Sequence, residues 1–301
     1  MDEVRRKSRV SGPRALWREM KRNLAAYLFL SPFILLFLVF LVFPIGFSFY
    51  VSFFDWPGIG AREFIGLDNY RLLFIDPQIQ KALWTTLLVG IGHVIPTTFL
   101  ALMLAVLLNH IWLRLSAFWQ LAIFLPSVTA AVVIALVFDM LLDTQFGSVN
   151  GFLASLGIPA ISWLDDPFWA KVSLAGIVNW RWTGYNTLIV LAGLKGIRQD
   201  VYDAATVDGA NGVQQLLFIT LPLLRPVLLF ISVTSTIGIL QLFEESYILT
   251  PSSAPTLGLY LYQTAFGYFK FGYGSAIAYF ITALVLVLAL LQLRFFGREV
   301  D

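Results

Sequence analysis

The chain has 301 residues, of which 58% are hydrophobic and 13% are charged, and its mean hydropathy is +0.80. Soluble domains average about 45–50% apolar and about 25% charged residues, so this chain has too few charges to cover a soluble surface. The composition excludes a soluble enzyme, a disordered chain and a nucleic-acid-binding protein. With no cysteine and two histidines, a disulfide framework is excluded and a metal site is not expected. An all-α polytopic membrane protein remains.

Six stretches are apolar and long enough to cross a bilayer, which takes about 20 residues per helix. They cover about 25–48, 83–108, 117–138, 172–194, 222–243 and 275–293. The fourth is the least apolar because it contains Asn179, Arg181 and Asn186. Gly272 and Gly274 predict a turn just before the sixth span. The sequence therefore predicts six transmembrane helices.

The basic residues are sorted between alternate loops, which predicts the orientation of the chain. Thirteen lie in segments expected on one side: Arg5, Arg6, Lys7, Arg9, Arg14, Arg18, Lys21, Arg22, Arg114, Lys195, Arg198, Arg294 and Arg298. Five lie on the opposite side: Arg62, Arg71, Lys81, Lys171 and Lys270. Because cytoplasmic loops carry the excess of Lys and Arg, both termini are predicted to be cytoplasmic. The predicted domains are a basic segment 1–24, a membrane domain 25–294 and a cytoplasmic tail 295–301.

The cytoplasmic loop 195–221 has the clearest local signals outside the spans. Asp200 is expected to cap a short helix, which the Asp208-Gly209 turn would end. A second amphipathic stretch follows, and Pro222 is expected to begin the fifth span, where a missing N–H costs nothing. The loop is thus predicted to form a helix–turn–helix elbow on the cytoplasmic surface.

The spacing within this loop resembles a known motif, the EAA loop of ABC-importer permeases, E-A-A-x3-G-x9-I-x-L-P. The matching residues are Asp203, Ala204, Ala205, Gly209, Ile219, Leu221 and Pro222. Asp203 replaces the motif's Glu, so the carboxylate is kept but is one methylene shorter. In that family the loop forms the coupling helix, which docks into a cleft of the cytoplasmic ATPase subunit.

The resemblance to the carbohydrate-uptake branch of this family, which includes maltose-type and glycerol-3-phosphate-type permeases, extends over nearly the whole chain. It is carried by four further segments, at residues 64–74, 125–128, 180–194 and 235–250. It implies a type I importer fold in the bacterial or archaeal plasma (inner) membrane. It also implies four kinds of association: a second related permease, two ABC ATPases, an extracytoplasmic solute-binding protein and the lipid bilayer. ATP and Mg would be bound by the ATPases, since this chain has no phosphate-binding G-x-x-x-x-G-K-[ST] loop.

Polar and aromatic residues in the fourth and fifth spans are candidates for the substrate path. Sugars are bound by planar polar groups and by aromatic faces, and intramembrane ionisable residues are functional candidates. The set is Trp182, Asn186, Gln241, Glu244, Glu245 and Tyr247. An alternative role for Arg181 is a structural ion pair with Glu244 or Glu245. For His93, an interhelical hydrogen bond is favoured over a proton relay.

Two other classes of membrane protein are alternatives to an importer subunit. An intramembrane protease would need a nucleophile with a partner base or paired aspartates, and the spacing suggests neither. A self-sufficient six-helix channel would need a selectivity-filter segment or a homo-oligomeric pore signal, and neither is evident. The leading interpretation is therefore one permease subunit of an ATP-driven importer for a sugar or related solute, with no enzymatic activity of its own.

Overall fold

A computed structural model describes residues 23–110 and 116–296, and the described chain is mostly helical. The predicted basic N-terminal segment and C-terminal tail fall mostly outside these residues, as does Arg114. Twelve helices and a two-stranded hairpin follow in chain order within the described ranges. They are α1 (Leu24–Val51), β1 (Phe54–Asp55), β2 (Glu63–Phe64), α2 (Asp68–Ile75), α3 (Pro77–His110), α4 (Ser116–Val128), α5 (Ala131–Leu142), α6 (Ser148–Ser155), α7 (Pro167–Lys195), α8 (Gln199–Val207), α9 (Gly212–Leu240), α10 (Glu244–Leu249), α11 (Leu257–Tyr262) and α12 (Phe271–Phe296).

Four of these helices, α1, α3, α9 and α12, are long and apolar enough to cross a membrane. A fifth span requires α4 and α5 to be counted together, although they meet at an angle of 93°. The third predicted span, 117–138, is therefore two helices with a sharp bend between them rather than one straight helix. Helix α7 has the length to cross a bilayer but is less apolar than the other four, in line with the polar residues in its sequence.

The break between α4 and α5 has a local cause in the backbone. Pro126 lies in the last turns of α4, where it removes one backbone donor from the helix. The Ser127 and Thr129 hydroxyls then donate to the carbonyls of Phe124 (2.7 Å) and Leu125 (3.1 Å), in competition with the helical ladder. Ala130 is extended, and a new helix begins after it in another direction.

Two of the long helices contain a π-helical turn two residues before a proline. The turn Leu38–Val42 precedes Pro44 in α1, and the turn Leu216–Thr220 precedes Pro222 in α9. A proline cannot donate to the carbonyl four residues earlier and its ring crowds that carbonyl, so a locally widened turn relieves the contact. The helix therefore passes through Pro222 without ending, and the prediction that Pro222 begins the span is wrong. Helix α9 begins instead at Gly212.

Helix α1 is almost entirely exposed, whereas much of helix α7 is buried. In α1 only Val51, its last residue, is buried, and its C-terminal part contacts α12 and β1. Helix α7 packs against α3, α4, α9 and α10 and has thirteen buried residues, including Leu174, Val190 and Leu191. The rest of the bundle is therefore assembled around α7.

Polar clamps hold the segment between α1 and α3 against the end of the bundle opposite loop 195–221. The buried Asn69 amide donates to the carbonyls of Ser52 and Phe54, both at 2.9 Å. The Asp76 carboxylate accepts hydrogen bonds from the hydroxyls of Tyr260 (2.6 Å) and Tyr273 (2.8 Å). Burial alone would raise the pKa of Asp76, but these two hydrogen bonds and those from neighbouring backbone N–H groups outweigh it and lower the pKa.

The predicted turn at Gly272 and Gly274 is wrong, because both residues lie in the first turn of α12. A Cβ atom on Gly272 would lie 1.9 Å from the carbonyl oxygen of Phe54, and one on Gly274 would lie 2.9 Å from Ala265 Cβ. These glycines therefore allow α12 to approach β1 and the residues after α11 closely.

Gly184 provides a test of the packing between α4 and α7. A Cβ atom at this position would lie 1.6 Å from the carbonyl oxygen of Ile123. We expect Gly184→Ala to lower the free energy of unfolding by about 3 kcal/mol, as forced overpacking does. Gly176→Ala in the same helix meets no atom within 4 Å and should leave stability unchanged or slightly higher. Thermal unfolding in detergent measures both, and equal transition temperatures would contradict the close α4–α7 contact.

Candidate functional site

A cavity of about 400 Å³ lies between α3, α7, α9 and α10. Helix α7 supplies one wall with five residues: Val178, Arg181, Trp182, Tyr185 and Asn186. Their spacing of three to four residues places them on one helical face. The opposite wall comes from the last turns of α9, from residues 241–243 and from the start of α10, with His93 of α3 at the edge. The cavity therefore joins the fourth and fifth predicted spans.

Five of the six residues predicted for the substrate path line this cavity. They are Trp182, Asn186, Gln241, Glu244 and Glu245. The sixth, Tyr247, is half exposed and lies outside the lining residues. Its ring packs against those of Phe243 (5.5 Å between centroids) and Tyr262 (5.8 Å).

The sequence reasoning missed several lining residues that helical spacing could have found. Tyr185 follows Arg181 by one helical turn and packs edge-on against Trp182, with ring centroids 5.8 Å apart. Thr234 and Ser235 precede Gly238 and Ile239 by one turn on α9, and all four line the cavity. Residues spaced i, i+3 and i+4 from the predicted substrate-path residues lie on the same helical faces, so this spacing could have identified the missed residues.

A buried ion pair between α7 and α10 forms part of the cavity wall. Arg181 Nη1 donates to Glu245 Oε1 at 2.5 Å, and the two side chains are only 14% and 3% exposed. The guanidinium also lies over the Trp182 ring, 5.2 Å from its centroid. Of the two partners proposed for Arg181 from the sequence, the structure selects Glu245. Each charge compensates the other where water is scarce.

Two further polar residues of α7 make hydrogen bonds to neighbouring helices. The Asn179 amide donates to the Gly92 carbonyl (2.9 Å), and its Oδ1 accepts from His93 Nδ1 (2.7 Å) and from Thr97 Oγ1 (2.6 Å). This is the interhelical hydrogen bond favoured for His93. Deeper along the cavity, Asn186 Nδ2 donates to Ser235 Oγ at 3.4 Å. The polar residues that make α7 a poor membrane span are thus paired inside the bundle.

The loop between α7 and α9 forms the predicted elbow, with different caps. Helix α8 begins after Arg198, which occupies the N-cap position. Asp200 lies in the first turn, where it pairs with Arg198, so the prediction that Asp200 caps this helix is wrong. Gly209 has a φ of +85°. Backbone bonds from Ala210 N to Ala205 O (2.9 Å) and from Gly209 N to Thr206 O (3.1 Å) complete a Schellman motif.

The second arm of the elbow is capped and fastened to the first. Asn211 and Gln214 form a reciprocal capping box at the start of α9. The Tyr202 hydroxyl is 2.9 Å from Thr220 Oγ1, and Gln215 Nε2 donates to Thr206 Oγ1 at 2.9 Å. These contacts make the elbow a rigid extension of α9.

The seven motif residues divide into exposed and packed groups. Three of them, Asp203, Ala204 and Gly209, are exposed. Three others, Ala205, Ile219 and Leu221, are partly covered by the elbow's own packing. Pro222 is also exposed, and it follows the π-helical turn. Asp203 accepts a hydrogen bond from Gln199 Nε2 at 3.2 Å. The structure therefore presents a small-residue surface outward and uses the remaining positions to shape the turn.

The ion pair can be tested by removing one charge and then both. We expect Glu245→Gln to cost about 3–5 kcal/mol of stability, because it leaves the Arg181 guanidinium buried and unpaired. Adding Arg181→Gln should restore most of the loss. Glu244→Gln is the matched control and should have no effect, since Glu244 is exposed. Thermal unfolding of the four proteins measures this, and a double variant no more stable than Glu245→Gln alone would refute the coupling.

Comparisons with known proteins agree with this architecture. Residues 99–298 match the family described as binding-protein-dependent transport system inner membrane component. The chain is 38% identical to the lactose transport system permease protein LacF of Rhizobium radiobacter, over 88% of this chain and 92% of that protein. It is 34% identical to the arabinooligosaccharides transport system permease protein AraP of Bacillus subtilis, over 93% and 92% of the two chains.

A solved structure has the same fold over almost its full length. It is a chain of a bacterial ABC transporter that imports the acidic polysaccharide alginate, with a TM-score of 0.83 and 25% identity. The match covers 95% of this chain and 99% of that one. These likenesses decide against the self-sufficient channel and the intramembrane protease. The chain belongs to the family of inner-membrane components of binding-protein-dependent transport systems, and it is a multi-pass permease subunit of an ABC importer that is not itself an enzyme.

Proposed function

We propose that this permease forms half of a translocation path for a saccharide, and that the cavity between α7 and α9 is its share of that path. The observation that carries the proposal is the convergence of Trp182, Asn186 and Gln241 on one cavity. Amide groups can hydrogen-bond sugar hydroxyls, and an indole ring offers a flat apolar face to sugar C–H groups. The relatives named for lactose and for arabinooligosaccharides favour the same substrate class.

The proposed topology has six crossings with both termini in the cytoplasm. Helix α7 supplies the fourth crossing, and its polar side chains are tolerated because their partners lie inside the bundle. The bent pair α4 and α5 supplies the third, with the break at Thr129 and Ala130. On this topology the elbow of α8 and the first turns of α9 faces the cytoplasm.

The proposed partners are a second related permease, two ABC ATPases and an extracytoplasmic solute-binding protein. The ATPases would dock on the elbow surface formed by Asp203, Ala204 and neighbouring exposed residues. The elbow is continuous with α9, and the outer turns of α9 line the cavity. A movement of the docked ATPase would therefore be transmitted along one helix to the solute path, as required for alternating access.

Gly209 tests the coupling role of the elbow. Its φ of +85° is unfavourable for a β-branched residue, although a Cβ atom at this position would meet no other atom within 4 Å. We expect Gly209→Val to distort the elbow, so that the complex assembles but substrate-stimulated ATP hydrolysis falls at least about tenfold, equivalent to roughly 1.4 kcal/mol.

The matched control is Gly212→Val, three residues away. Gly212 also has open space around it, but it lies in the first turn of α9 with an ordinary backbone conformation. This variant should keep most of the stimulated activity. Full stimulation in the Gly209→Val complex would refute the assignment of the elbow as the coupling element.

A further inference from the structure

The charges around the cavity do not cancel. Of the described lining residues, the ionisable side chains that bear on this balance are His93, Arg181, Glu244 and Glu245. Arg181 and Glu245 neutralise each other through the buried ion pair. Glu244 makes no hydrogen bond or ion pair with any described residue and is exposed to the cavity. With His93 counted as neutral, this wall carries one uncompensated negative charge.

The position of Glu244 keeps its charge available to a solute. It lies in the first turn of α10, where an acidic side chain is favourable. Arg181 is held by its bond to Glu245, which is 3% exposed and would be left buried without a partner if the guanidinium turned away. The charge of Arg181, which could have attracted an anionic solute, is therefore already compensated within the protein, although its Nε has no hydrogen-bond partner among the described residues.

We propose that Glu244 is a specificity-determining residue, which makes this half of the path favour neutral or cationic saccharides over uronates, sulfated sugars and sugar phosphates. This inference rests on the proposed function, in which the cavity is the solute path. The fold alone does not decide the charge of the cargo, since a transporter of the same fold imports an acidic polysaccharide. In a confined site of low dielectric constant, one fixed charge shifts the local preference between ions of opposite sign.

Because this chain has no cysteine, an introduced thiol is the only one in the permease, and labelling read on this chain alone reports the local potential. We would introduce Thr234→Cys, which lines the cavity, and purify the permease in its complete complex. The thiol is then reacted with a cationic trimethylammonium and an anionic sulfonate methanethiosulfonate reagent. The ratio of the two rate constants measures the potential without any transport. Ser155→Cys, exposed on α6 outside the cavity, provides the reference ratio.

We expect the cation-to-anion ratio at Thr234→Cys to exceed the ratio at Ser155→Cys. Adding Glu244→Gln should lower it by about tenfold, whereas Glu244→Asp should preserve it. A ratio unchanged by Glu244→Gln, or one that favours the anionic reagent before that change, would overturn the inference. Failure of the complete importer to take up any saccharide would contradict the proposed function instead, and it leaves the measured potential unaffected.

Discussion

Inside a bilayer, a polar side chain has to find its partner within the protein, and the arrangement of this permease depends on how α7 meets that constraint. Asn179, Arg181 and Asn186 each make their contacts with a different neighbour: α3, α10 and α9 respectively. Such contacts are directional, so they define where the neighbouring helices lie in a way that apolar packing alone does not. The least apolar long helix is consequently the one around which the others assemble.

The same constraint explains why the cavity and the elbow belong to one mechanical unit. Polar groups collected on α7 leave a hydrophilic face, and α9 covers this face only in part, so a cavity remains between them. Helix α9 then continues past Pro222 to the capped elbow because a π-helical turn accommodates the proline. In our proposal, helix α9 therefore contributes both to the cavity that binds solute and to the elbow that meets the ATPase.

Much of this was predictable from the sequence, where the signal was local or compositional. The apolar stretches, the Gly209 turn and most of the cavity residues followed from hydropathy, glycine chemistry and residue type. Two errors come from local backbone features that hydropathy does not record: the third span breaks at Thr129 and Ala130, and a π-helical turn carries α9 through Pro222. The other errors arose where tertiary contacts override local preference. Gly272 serves close packing, and the choice of Glu245 over Glu244 as partner of Arg181 depends on how α10 turns back toward α7.

The central claim is that a solute crosses the membrane through the cavity between α7 and α9. The most direct test is ATP-dependent saccharide uptake by proteoliposomes containing the complete importer with Thr234→Cys, an exposed cavity residue, as the only thiol of this chain. Our account predicts that uptake is near normal before modification and is abolished by a bulky maleimide, while the same treatment of a Ser155→Cys importer has no effect. Undiminished uptake after complete labelling at position 234 would contradict it.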